Sequence, residues 1–295
     1  MTEPNQQRKK KLLYWCWRIF RSLMLVYIIV LTLLYFLQNA LVFPGRSTQG
    51  HAEANFIPPK GTELVKLTTK DGDQITALFG VAMDKDAKPL PDITNRPTMI
   101  YFYGNGMCLR DCLIEFQRFR MLGVNVLIPE YTGYGLSTGK ASEQGCYATS
   151  EIAYEYLLTR KDINPNKIIA SGWSLGAAVA IDLASRKQVV GLVTFSAFTS
   201  MVDMAKYLYP FLPWPGLVLA YRFESEKKIA NIKCPVFLGH GKIDPLIPWQ
   251  MTERLANVAQ GNKTIFYIDN ADHLIFLPDG EKLFTELGKF LQSFQ

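Results

Sequence analysis

The stretch Lys167 to Ala180, KIIASGWSLGAAVA, limits the folds open to this chain more than any other. Its first half is a short apolar run of the kind that forms a buried parallel strand. Its second half is small and helix-prone, so the pattern predicts strand, tight turn, helix. Gly172, Trp173, Ser174, Leu175 and Gly176 spell G-x-S-x-G, in which flanking glycines let a serine at the turn take a strained backbone conformation. Such a turn lifts the hydroxyl out of the fold and sets it at a helix N-terminus. Free N–H groups and the positive end of the helix dipole can stabilise a developing oxyanion there. A plain serine N-cap would account for Ser174 alone, but not for both glycines with the strand before and the Ala-rich helix after.

From Glu63 onward the chain alternates strand and helix. ELVKLTT and ITALFGVA, divided by Asp71-Gly72-Asp73, predict an antiparallel hairpin. PTMIYFYG follows as a continuous apolar strand, then a helix with Leu109, Leu113, Phe116 and Phe119 on one face. Next come VNVLIPE, a helix from about Ser142 to Thr159, the serine strand and its helix, VVGLVTFSAF, CPVFLGHG, a helix over Trp249 to Ala259, KTIFYID, and a terminal helix. This rhythm predicts an α/β fold, a mostly parallel sheet with helices on both faces. The long interval 198–233 has room for a short cap. Its Tyr207, Tyr209, Pro210, Phe211, Pro213, Trp214 and Pro215 suit either an acyl pocket and lipid surface or a rigid connection packed on the core.

On these residues the chain, from about Glu63 to Phe294, resembles the α/β-hydrolases. Within them it is similar to the membrane-anchored, small-lidded α/β-hydrolase domain-containing proteins of the serine aminopeptidase-like and acyl-thioesterase-like branch. A serine hydroxyl needs a base within reach and an acid to orient that base. Of three histidines, His51 precedes the domain, leaving His240 and His273. The family order of serine, acid, histidine points to His273 in DNADHL as base. The stretch GHGKIDPLIP then makes Asp244 the acid and His240 a structural residue, with Asp203 the fallback acid. Asp269 and Asp272, beside His273, read as turn formers. The oxyanion hole implied by the resemblance uses the backbone N–H groups of Leu175 and Asn105. Asn105 lies in Tyr103-Gly104-Asn105-Gly106, where relatives commonly have His-Gly. Read as a nucleotide loop, that tetrapeptide lacks the third glycine and the following acid. Gly133 to Gly139, GYGLSTG, reads as a turn beside the site.

Composition bears mainly on the N-terminus. The formal charge is +6, but Arg8, Lys9, Lys10, Lys11, Arg18 and Arg21 stand against Glu3 alone in residues 1–21, leaving 26 basic against 25 acidic residues elsewhere. A near-neutral body argues against a nucleic-acid partner. Ser22 to Phe43 carries no charge over 22 residues, about 33 Å of helix against a hydrocarbon core of about 30 Å. The run is too long for a signal-peptide core and no A-x-A site follows it, so an uncleaved anchor is expected, with a cleaved signal or a core helix as the competitors. The basic flank places the N-terminus in the cytoplasm and the domain on the periplasmic, lumenal or extracellular side. The expected organisation is a basic tail over 1–21, an anchor over 22–43, a Pro/Gly-rich linker over 44–62, and the hydrolase domain over 63–295 with its cap at 198–233. Cysteines 16, 108, 112, 146 and 234 show no zinc spacing, so neither metal nor cofactor is expected.

The expected activity is cleavage of an acyl ester or thioester at the membrane through an acyl-enzyme on Ser174. A silent tethered scaffold, or a peptidase or acyltransferase on the same residues, are the alternatives. The short cap offers no clustered carboxylates to hold a peptide amino terminus.

Overall fold

A computed structural model describes residues 3–211, 214–276 and 280–295 of the protein. Among the described residues, eight strands form one sheet: β1 (Thr62–Thr68), β2 (Gln74–Gly80), β3 (Thr98–Phe102), β4 (Asn125–Pro129), β5 (Ile168–Trp173), β6 (Gly191–Phe195), β7 (Val236–Gly241) and β8 (Lys263–Ile268). Their order across the sheet is β1-β2-β4-β3-β5-β6-β7-β8. β1 and β2 form the expected antiparallel hairpin, β2 pairs antiparallel with β4, and the remaining pairs are parallel. β5 lies between β3 and β6 with all six residues buried, as a continuous apolar run requires when both faces of a sheet are covered. Because β3 to β8 run the same way, the loops leaving β3, β5, β7 and β8 open at one edge. Ligands in open α/β sheets bind outside these carboxyl ends.

The helices are α1 (Glu3–Val42), α2 (Leu113–Met121), α3 (Glu143–Thr159), α4 (Leu175–Arg186), α5 (Met201–Leu208), α6 (Ser225–Ile229), α7 (Trp249–Val258) and α8 (Gly280–Gln292). The N-terminus of α3 is set by Ser142, whose Oγ accepts from the Gly145 N–H at 2.9 Å. In α8, Leu283, Leu287 and Leu291 form the buried face and Phe290 packs partly against the core. Cys108 and Cys112 are buried thiols; burial pushes the Cys108 pKa up to about 12.

α1 is long and apolar enough to cross a membrane. Its end does not float free of the domain. Phe43 is fully buried, with its ring centroid 4.9 Å from that of Tyr221. Asn39 Nδ2 donates to the Ala141 carbonyl at 2.7 Å and to Tyr221 Oη at 2.9 Å. Residues Pro44–Thr48 and Ala52–Ala54, within the stretch whose composition reads as a linker, form 3-10 turns against the body. There the Gly50 N–H donates to the Gly135 carbonyl at 2.9 Å and Thr48 Oγ1 accepts from the Gly135 N–H at 3.0 Å. Proline, glycine and small polar residues serve tight packed turns as well as extended linkers, so composition did not separate the two. His51 is exposed.

The cap carries α5, a 3-10 turn at Pro215–Leu217, and α6. The Glu143 carboxylate ties it to α3 by accepting from the Arg222 N–H at 2.6 Å and the Phe223 N–H at 2.9 Å. Of its aromatic residues, Phe211 and Trp214 are largely exposed. Pro213 lies outside the described residues.

Candidate active site

Ser174 takes φ 56° and ψ −117°, a left-handed conformation that costs a non-glycine residue roughly 1–3 kcal/mol. The neighbouring glycines make this possible by their lack of side chains. A Cβ on Gly172 would land on the backbone of Gly176, and one on Gly176 would meet the Phe102 carbonyl. The Ser174 N–H is held by the Phe195 carbonyl at 2.9 Å. The hydroxyl thus stands between β5 and the first turn of α4, whose leading N–H groups, including that of Leu175, have no intrahelical partner.

The loops after β7 and β8 bring two further predicted residues to this point. Ser174 Oγ lies 3.1 Å from His273 Nε2, and His273 Nδ1 lies 2.7 Å from Asp244 Oδ2. With Asp244 ionised, Nδ1 carries the proton and Nε2 is left to accept from the serine. Asp244 is well held: its Oδ1 accepts the N–H groups of Leu246 at 2.8 Å and Ile247 at 2.9 Å. Burial pushes the carboxyl pKa up, but hydrogen bonds from His240, His273 and the Ile247 amide outweigh this and keep it well below the usual carboxylate range.

His240, a structural residue by its place in the sequence, also touches the acid. The ring is fully buried, with Nε2 3.2 Å from Asp244 Oδ2 and 3.0 Å from the Ile247 carbonyl, and Nδ1 2.6 Å from Thr252 Oγ1. Two acceptors at Nε2 require a proton there, and Thr252 Oγ1, which also lies 3.4 Å from the Ala197 carbonyl, partners Nδ1. Asp244 therefore sits between two imidazoles. The i,i+4 spacing in H-G-K-I-D was the available signal. Trp173 touches the base as well: its Nε1 donates to the His273 carbonyl at 3.0 Å, and the two rings lie 5.1 Å apart.

Asp203 is not brought to the histidine; its carboxylate accepts from Thr199 Oγ1 at 2.8 Å and pairs with Arg254 at 3.1 Å. Asp269 is exposed and pairs with Lys242, while Asp272 Oδ1 accepts from the Leu274 N–H at 2.8 Å as a turn former does.

Asn105 faces Ser174 across the cleft. Its carbonyl accepts from the Gly45 N–H at 2.9 Å and Tyr134 Oη at 3.1 Å, and its Nδ2 donates to the Val42 carbonyl at 3.3 Å. Among the described residues its own N–H has no hydrogen-bond partner. The preceding Tyr103, at the position where histidine was expected of relatives, donates to the buried carboxylate of Glu130 at 2.6 Å and accepts at its carbonyl from Tyr131 Oη at 2.8 Å. Glu130 also accepts the N–H groups of Leu109 at 2.8 Å and Leu136 at 3.1 Å, so it ties the GYGLSTG turn to the Asn105 loop. Burial pushes the Glu130 pKa up, opposed by those three hydrogen bonds.

The cleft above Ser174 has a volume of about 280 Å³ and is lined by Asn105, Ser174, Leu175 and His273 together with mainly apolar side chains from α1 and the cap, with Gln38 and Tyr209 the polar exceptions. Among the described residues, no group of three or more His, Cys, Asp or Glu is placed to hold a metal ion. The arrangement can deprotonate a serine, hold a cation on the imidazole, and offer two N–H groups to a developing oxyanion.

Residues 137–281 match the Dienelactone hydrolase family, which supports hydrolase chemistry. Protein bem46 of Schizosaccharomyces pombe is 33% identical over 234 residues, covering 76% of this chain and 75% of that protein. An uncharacterized protein of Mycobacterium tuberculosis (strain CDC 1551 / Oshkosh) is 36% identical over 171 residues, and the match spans 58% of this chain and 60% of its relative's length. Among solved structures, the esterase Pf2001 of Pyrococcus furiosus superposes with a TM-score of 0.59 at 22% identity, covering 81% of this chain and 94% of the esterase. At that identity the likeness speaks for the fold.

Proposed function

The chain belongs to the α/β-hydrolase superfamily, and from that premise we propose that it is a membrane-anchored serine hydrolase cleaving carboxylic ester or thioester bonds through an acyl-enzyme on Ser174. The observation that carries this reading is the array of Ser174 Oγ, His273 and Asp244, with links of 3.1 and 2.7 Å, built on a strained serine. His273 Nε2 takes the hydroxyl proton as Oγ attacks the acyl carbon. The carbonyl oxygen becomes an oxyanion received by the N–H groups of Asn105 and Leu175. Asp244, kept ionised, stabilises the imidazolium and holds its orientation. The imidazolium then protonates the departing alcohol or thiol as the C–O or C–S bond breaks. Water, deprotonated by the same nitrogen, attacks the acyl-enzyme, and the proton returns to Ser174 as the acid leaves. The strain at Ser174 argues against a silent scaffold, because a serine kept only for packing has no need of that conformation.

Labelling by a fluorophosphonate probe tests the reading. Wild-type protein should label and turn over short p-nitrophenyl esters, Ser174→Ala should do neither while keeping its thermal unfolding transition, and His273→Ala should lose turnover. Full esterase activity in folded Ser174→Ala protein would refute it.

α1 is the proposed anchor, its basic flank on the cytoplasmic side and the domain on the periplasmic, lumenal or extracellular side. Protein of full length should resist carbonate extraction, and protease added on the non-cytoplasmic side should digest the domain. A domain cleaved only from the cytoplasmic side would overturn the orientation.

A further inference from the structure

Between Arg21 and Leu37, where most of α1 is exposed, Tyr27, Leu31 and Leu34 are part-covered, and Gln38 and Val42 continue the same row into full burial. Spacings of four, three, four and four put these positions on one helical face. At its lower end the row is fastened to the cap by a polar residue inside the charge-free run. Gln38 Nε2 donates to the carbonyls of Tyr35 at 2.8 Å and Val218 at 3.3 Å, and its Oε1 accepts from the Ala220 N–H at 2.8 Å. An amide whose groups are spent on such bonds registers one surface against another and leaves little polarity for a ligand.

The space left between this face and the cap is the cleft that ends at Ser174. Leu34 and Leu41 of α1 face Met204 and Leu208 of α5 and Val218 and Leu219 of the cap across it. Apart from Asn105, Ser174 and His273, the polar side chains lining it are Gln38, whose amide is already bonded to the cap, and Tyr209; the rest are apolar, so the cleft is complementary to a molecule with one reacting carbonyl and a long apolar tail. From Leu34 to Val42 the wall runs about 12 Å along α1 at 1.5 Å per residue. If the charge-free run crosses a hydrocarbon core of about 30 Å, that wall lies within its outer half. The cap bordering the cleft carries Phe211, Trp214 and Leu217, each more than 70% exposed. Large apolar side chains so exposed within one short cap segment mark a surface that something apolar covers, and aromatic residues favour the membrane interface.

We propose that the cleft walled by α1, α5 and the cap binds the single long aliphatic acyl chain of a lipid ester, drawn laterally from the bilayer that α1 crosses. The proposal rests on the serine hydrolase reading for the fate of that ester. The helix that tethers the domain is then also one wall of its acyl site, and substrate reaches Ser174 without leaving the hydrocarbon.

The test uses protein of full length in nanodiscs. Across p-nitrophenyl esters from acetyl to dodecanoyl, kcat/KM should rise by up to about fourfold per methylene until the cleft is filled. Leu34→Trp and Leu41→Trp should lower the dodecanoyl-to-acetyl ratio at least about tenfold, by the loss of several such methylene contributions. Ile29→Trp and Phe36→Trp, on the opposite, exposed side of the same helix, should leave the ratio as it was. A flat chain-length profile, or equal effects from both faces, overturns the proposal. For the source of the lipid, a phospholipid ester in the same nanodisc should be cleaved faster than the same ester in separate vesicles; equal rates overturn lateral access. If no ester is cleaved and no fluorophosphonate label appears, the hydrolase reading fails, and the cleft is then read by binding alone. A diazirine-bearing palmitate should cross-link to the peptide containing Leu34 to Val42 in Ser174→Ala protein, and less in Leu34→Trp. Cross-linking spread evenly along α1 would overturn the site itself.

Discussion

Replacement of Gly45 by alanine should slow catalysis about a hundredfold from a position outside the reacting residues. Gly45 lies just past the end of α1, and its N–H holds the Asn105 carbonyl at 2.9 Å. A Cβ built there would stand 2.7 Å from that carbonyl oxygen and 2.8 Å from the Met107 carbonyl oxygen, and would meet the Tyr134 ring as well. Carbon does not approach a carbonyl oxygen so closely, so the loop must retreat by several tenths of an ångström. Asn105 is held by its carbonyl and side chain, and displacing both turns its N–H away from the oxyanion it is proposed to receive. Loss of one oxyanion donor typically costs about 2.7–4 kcal/mol, or about 10²–10³ in kcat. Overpacking a buried site costs about 1–3 kcal/mol of stability, which a domain of ordinary stability survives. Steady-state turnover of a short p-nitrophenyl ester, measured beside thermal unfolding, should show the loss in kcat with little change in KM. Gly106→Ala, in the same loop but facing open space, is the control and should stay near wild type. If Gly45→Ala kept kcat within about threefold of wild type, the junction between α1 and the domain would have no part in placing Asn105.

His240→Gln should reduce kcat about tenfold and lower stability, since a hydrogen bond to a charged group contributes about 1.5–3 kcal/mol; unchanged kcat in a destabilised protein would return His240 to a purely structural role. Tyr103→Phe removes the 2.6 Å hydrogen bond to Glu130, whose pKa burial has already raised and this bond partly restrains. The variant's Glu130 pKa is therefore higher still, so its loss of stability, about 1.5–3 kcal/mol at neutral pH, should shrink as pH falls and the carboxyl protonates in both proteins. A deficit that grew in acid would contradict this sign. Glu151 has its pKa lowered to about 2, chiefly by the hydrogen bond from Lys70 and then that from Lys187. A depressed folded pKa gives stability that is present above about pH 4.5 and lost as pH falls toward 2. Glu151→Gln should therefore cost under about 1 kcal/mol at pH 7, given its exposure, and nothing near pH 2 by urea unfolding.

Features with a local cause are legible in the sequence. A serine between two glycines, after an apolar run and before an Ala-rich one, specifies a turn within a dozen residues, and the backbone of Ser174 follows from that neighbourhood. The charge-free run of α1 and the strand and helix rhythm are periodicities of the same short range. The pairing of His273 with Asp244 was reachable only through chain order, because 29 residues separate partners 2.7 Å apart. The remaining features arise from contacts between distant segments. β4 lies between β2 and β3, a crossover that no single strand's composition encodes. Gln38 meets residues about 180 positions away, and only their meeting makes α1 a wall of the cleft. Glu130 reads in sequence as the polar end of a strand, yet three hydrogen bonds from two other segments make it the post that holds the Asn105 loop. Local patterns constrain how each segment can fold, whereas burial and hydrogen bonding between distant segments are settled by which surfaces remain to be covered once those segments have formed.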